Sequence, residues 1–112
     1  MSGKEDLERL RDDVSRVTIQ IIRLCGERFF LARKIGEIKA QRRMPVEDSK
    51  IEANLKKEVL QKCRSYGVDT KFALDLLDLL LDESKRVQRN LMEDSKNDKQ
   101  YPPKSPRRLE EP

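Results

Sequence analysis

Histidine and tryptophan are absent from this 112-residue chain. Without histidine the commonest metal ligand and the default general base are missing, so any chemistry runs on arginine, lysine, carboxylates and amides. Aromatic residues make up only 4%, too few to build stacking platforms for bases. The net charge of +4 comes from 25 basic and 21 acidic residues that are interspersed, which gives no one-sided basic stripe for nucleic acid. Cysteine is represented by Cys25 and Cys63 alone. They form no CxxC or zinc spacing, and both fall in helical patterns, so they read as two reduced thiols of a cytoplasmic protein. No apolar run approaches 18 residues, and the leucine-rich stretch is cut by Asp75, Asp78 and Asp82. That argues against a membrane span, and the charged start MSGKED argues against a secretory signal. There is no glycine cluster of the phosphate-loop kind and no solenoid repeat.

What the chain does have is apolar residues at helical spacing. Leu7, Leu10, Val14, Val17, Ile21, Leu24, Leu31, Ile35 and Ile38 recur at steps of three and four, with Arg28 as the seam position that breaks the pattern. Pro45 ends this first helix near Arg43. Ser2 and Glu5 have capping-box spacing at its start. A second helix starts between Glu47 and Ser49 and stops at Gly67, a good left-handed cap. Asp69 caps a third, which runs to Asp94 or Ser95 and carries Leu74, Leu77, Leu81, Ser84, Gln88 and Leu91 on one seam. The expected organisation is a helical domain over residues 1–95 and a flexible tail over 96–112, where four of the five prolines lie. A first helix of roughly 60 Å cannot cover its whole stripe with two shorter helices, so a second copy of the chain is expected to do so. The fold class is all-α, with three helices per chain in an intertwined six-helix homodimer.

The polar seam positions are the candidate site. Arg28 and Lys39 are 11 residues apart, which sets them within about 20° of one helix face and roughly 16 Å apart along it. Asp48 and Glu52 on the second helix, and Ser84 and Gln88 on the third, are each one turn apart. Cations, carboxylates, a hydroxyl and an amide meeting in one cavity would suit a small polyanion that also carries a hydroxyl. Each residue has a plainer reading. Arg28, Ser84 and Gln88 fix helix register; Asp48 is an N-cap, and Glu52 completes a capping box with Ser49. Lys39 is solvated, its stem lying on the core. Gly26 and Gly36 allow close helix contact.

Five motifs in order, L-x-x-L-R at Leu7–Arg11, E-R-x-x-L-A at Glu27–Ala32, I-G-x-x-K at Ile35–Lys39, P-V-x-D-x-x-x-E at Pro45–Glu52 and D-E-S-x-x-x-Q at Asp82–Gln88, resemble the all-helical chorismate mutases over about residues 5–93. The resemblance implies rearrangement of chorismate to prephenate in two equivalent sites, with no cofactor and no metal. It implies that Arg28 clamps one substrate carboxylate and that Arg11 reaches in from the other subunit. Lys39 would bind a carboxylate and the breaking ether oxygen, and Gln88 would be the second donor to that oxygen. Asp48 and Glu52 would accept from the ring hydroxyl, and Ser84 would help at a carboxylate. Ile51 departs from the pattern, which has a basic residue just before the helix-two glutamate. Alternative readings are an isochorismate pyruvate-lyase on the same fold, or a non-catalytic helical dimer or adaptor.

Overall fold

The computed structural model describes residues 3–97, which form three helices and no strand: α1 (Gly3–Arg42), α2 (Ser49–Tyr66) and α3 (Thr70–Asn97). Ser2, and the tail from residue 98 on, lie outside the described residues. The third helix runs two residues past the boundary expected at 95.

The helix ends follow from local chemistry. At the end of α1 the Met44 N–H donates to Lys39 O at 2.8 Å and the Arg43 N–H to Ala40 O at 3.3 Å. At the end of α2 the Val68 N–H donates to Cys63 O at 2.8 Å and the Gly67 N–H to Arg64 O at 3.3 Å. Both ends are Schellman closures, which need a left-handed residue just past the helix. Gly67 supplies it with φ 70°, and Arg43 does so with φ 57° despite its side chain. Asp69 caps α3 as expected, its Oδ2 accepting from the Phe72 N–H at 2.9 Å. Asp48 precedes α2 but makes no side-chain cap bond, so the plain N-cap reading of that residue fails.

The chain is a slab. It measures 62 × 34 × 14 Å, so its thickness is about one helix diameter and its length is that of α1. Helix α3 lies between the other two, packing on α1 and on α2. Its seam faces that contact: Leu77 and Gln88 are buried, and Leu74, Leu81, Ser84 and Leu91 are half-buried.

The first helix behaves differently. Its buried residues are Ala32, Gly36 and Lys39, a narrow face of small residues and one cation. The large apolar stripe from Leu7 to Ile38 lies roughly 100° round the helix and stays 45–65% exposed. Gly36 explains why α3 docks on the narrow face: a Cβ there would stand 3.2 Å from Gln88 Cα and 3.0 Å from Leu91 Cδ1. Gly26 meets nothing within 4 Å, so close approach within the chain is a property of Gly36 and not of Gly26.

Candidate active site

Where Gly36 brings the helices together, the Lys39 ammonium of α1 meets α3. Lys39 and Gln88 are each 6% exposed, and they are the two buried polar side chains among the described residues. Lys39 Nζ donates to Gln88 Oε1 at 3.1 Å and to the Val46 carbonyl at 2.9 Å. Asp48 Oδ2 lies 3.7 Å away. A buried cation is tolerable only with such partners. The connection from Arg43 to Asp48 thus wraps around Lys39 and gives it both a carbonyl and a carboxylate. Two of the three ammonium donors are used in hydrogen bonds, and with Oε1 taken, the Gln88 amide keeps its NH2 group as a donor.

One turn before Gln88, the Ser84 hydroxyl accepts from Arg28 Nη1 at 3.2 Å, and the same nitrogen donates to the Leu80 carbonyl at 3.3 Å. No carboxylate pairs with Arg28 among the described residues. Its charge is therefore held in place by neutral acceptors, leaving other guanidinium donors for an anion.

Glu52, one turn into α2, makes no capping box with Ser49. Its Oε2 lies 3.0 Å from Lys85 Nζ, and Glu47 Oε1 lies 3.3 Å from the same nitrogen. The Lys85 side chain is 17% exposed. The hydrogen bond to Glu52 pushes the Lys85 pKa upward; partial burial opposes this, and the Glu47 bond and the charges of both glutamates add to it. Lys85 was not among the residues singled out from the sequence. It sits between Ser84 and Gln88 on a helix dense in charge, and nothing in its spacing sets it apart from solvated lysines. Next to it, on the outer face, the Arg86 hydrogen bond lowers the Glu83 pKa.

The structure therefore gathers Arg28, Lys39, Asp48, Ser84 and Gln88 along one α1–α3 seam, with Glu52 tied to the same stretch of α3 through Lys85. Arg11 is not part of it. It is exposed, makes no ion pair or hydrogen bond within the described residues, and stands about 42 Å along α1 from Lys39. The hollow between α2 and α3, about 310 Å³, is a separate feature lined by apolar residues such as Leu55, Val59, Phe72 and Leu77. None of the gathered polar residues lines it.

Buried cation, amide, hydroxyl and unneutralised guanidinium, without a nucleophile beside a base, suit binding of an anion whose reaction needs no proton transfer. Residues 10–89 match the sequence family described as chorismate mutase type II. The chain belongs to that family. It is accordingly an isomerase of the chorismate mutase class, with an all-helical fold. A protein of Methanocaldococcus jannaschii named chorismate mutase is 26% identical over 93 residues, covering 83% of this chain and 94% of the relative. A bifunctional chorismate mutase/prephenate dehydratase of Aquifex aeolicus is 35% identical over 57 residues, covering 51% of this chain and 16% of that protein. One of the same name from Buchnera aphidicola is 26% identical over 98 residues, 88% of this chain and 26% of its own length. The chain thus spans nearly the whole of the first relative and about a quarter or less of the two bifunctional ones. No helix among the described residues is long and apolar enough to cross a membrane.

Proposed function

We propose that this chorismate mutase converts chorismate to prephenate in two sites of an intertwined homodimer. Each site would use Arg28, Lys39, Asp48, Glu52, Ser84 and Gln88 of one chain and Arg11 of the other. The observation that carries the reading is the Lys39–Gln88 pair, two buried donor-bearing side chains fixed against each other across helices.

The reaction is a unimolecular Claisen rearrangement: the ether C–O bond breaks as a new C–C bond forms, with no proton transferred. The enzyme's work is to hold the enolpyruvyl ether in its compact conformer and to stabilise negative charge growing on the ether oxygen. Lys39 and the Gln88 NH2 group are the donors for that oxygen. Arg28, steadied by Ser84 and the Leu80 carbonyl, binds one carboxylate. Asp48 and Glu52 accept from the ring hydroxyl. The partner's Arg11 binds the other carboxylate.

Two features support the dimer. The apolar stripe of α1 is uncovered along its length, an exposed patch beyond what a lone soluble chain sustains. Arg11 also lies too far from Lys39 to share a ligand with it within one chain. A cytoplasmic location belongs to the same reading and agrees with two free thiols, Cys25 half-buried and Cys63 buried.

The test is loss of chorismate's ultraviolet absorbance on adding the purified protein, with the product identified. Prephenate is expected. Unchanged absorbance, or pyruvate release from isochorismate instead, would reject the reading.

A further inference from the structure

The mechanism leaves Lys85 unused, yet this cation of α3 is held by carboxylates from two other elements. Its ammonium bridges Glu52 of α2 at 3.0 Å and Glu47 of the α1–α2 connection at 3.3 Å, from a side chain 17% exposed. A lysine with a purely solvating role keeps its charged end in water and its stem on the surface. Here the stem is largely covered and the charged end spans two elements. Helix α2 gives Glu52 no cation in the preceding position, since residue 51 is an isoleucine, 58% exposed.

We propose that Lys85 is a positioning residue for the substrate hydroxyl: it fixes the Glu52 carboxylate and offsets its charge, so that Glu52 can accept from the ring hydroxyl of a dianion. The inference rests on the assignment of Glu52 to that hydroxyl. Asp48 is already matched by Lys39 at 3.7 Å, and among the described residues no carboxylate pairs with Arg28. Glu52 would be the carboxylate left unbalanced next to a doubly negative ligand if Lys85 were neutral. As a lysine it is charged throughout the neutral range, and the Glu52 hydrogen bond shifts its pKa further upward. Such an arrangement acts on ground state and transition state alike, because the hydroxyl does not take part in bond exchange.

The experiment is a double-mutant cycle on full-length protein, with KM and kcat for chorismate measured separately. Lys85→Met should raise KM about tenfold and leave kcat within about twofold, the pattern of lost uniform binding. Lys85→Arg should recover most of the loss. In a Glu52→Gln background, Lys85→Met should add less than about twofold, since the partner it orients is already gone. Glu47→Gln alone should leave both constants near wild type, because that side chain is 65% exposed. Additive losses in the cycle, an unchanged KM in Lys85→Met, or a Glu47→Gln variant that reproduces the defect would each overturn the inference. If the methionine variant does not reach wild-type helicity, the cycle is read with Lys85→Gln. A Glu52→Gln variant with wild-type constants would instead remove the Glu52 assignment itself, and the two failures are thereby told apart.

Discussion

The carbonyl of Lys39 accepts the Met44 N–H that closes α1, while its ammonium donates to the Val46 carbonyl of the chain that follows. One residue therefore ends the helix through its backbone and anchors the outgoing turn through its side chain. That turn carries Asp48 to the site and leaves Glu47 outside it, exposed beside Lys85. The position of the Asp48 carboxylate is tied to the same lysine that is proposed to meet the ether oxygen.

Lys39→Ala and Gln88→Ala should each lower kcat by roughly 10² or more, the usual cost of removing one preorganised donor. The combined variant should lose far less than the product of the two, since the pair acts as a unit. Steady-state rates with circular dichroism as a folding control check this. Near-normal turnover in either single variant would reject the donor assignment.

Arg11→Ala and Arg28→Ala should each be inactive as homodimers. Mixed and re-equilibrated, they should regain activity, because one of the two sites in a heterodimer then holds both arginines. The yield is at most about a quarter of wild type if subunits exchange at random, half the molecules being mixed and each with one intact site. No recovery above the parent variants would exclude a contribution from the partner chain.

Gly36→Ala sets helix propensity against contact. Alanine favours the helix by about 1 kcal/mol over glycine. Its Cβ, however, would meet Gln88 Cα at 3.2 Å, and backbone cannot swing aside as the Leu91 side chain can. The expected outcome is a Tm within a few degrees of wild type and a several-fold fall in kcat, as Gln88 is pushed off Lys39. Unchanged kcat would mean that the α1–α3 spacing is not limiting.

Two ion pairs predict opposite limbs in a profile of Tm against pH. The Lys85 pKa is raised by Glu52, so its contribution is complete below the unfolded value of about 10.4 and disappears as pH climbs through the raised folded value. Glu83 has its pKa lowered by Arg86, so its contribution is present above the unfolded value of about 4.3 and is lost as pH falls through the lowered one. Between these limits neither pair gives a slope. Comparing wild type with Lys85→Met, the gap in Tm should be constant near neutrality and close as pH climbs through the raised folded value. Comparing wild type with Arg86→Ala, any gap should close only in acid and shrink with salt, as expected of an exposed pair.

The three helices and the α3 seam were legible because proline, glycine and period-3.6 spacing act locally. Arg28, Ser84 and Gln88 were legible because they interrupt apolar seams, whereas Lys39 and Asp48 were reached through spacing and the family resemblance. The packing face of α1 was legible only through Gly36. Hydropathy draws the eye to Leu7 through Ile38, whereas α3 docks on Ala32 and Gly36, where absence of bulk matters more than hydrophobicity. Arg43 in a left-handed cap went unseen because no residue type signals it. The capping roles open to Asp48 and Glu52 gave way to lysines from other elements, a tertiary choice that spacing within α2 cannot encode.

A slab 14 Å thick has two faces and almost nothing between them. Whatever covers the bare side of α1 enlarges an interior that, among the described residues, holds only four buried apolar side chains. Within the proposed assembly, folding and association become a single equilibrium, and protein concentration joins temperature and denaturant as a variable that decides whether the catalyst exists at all.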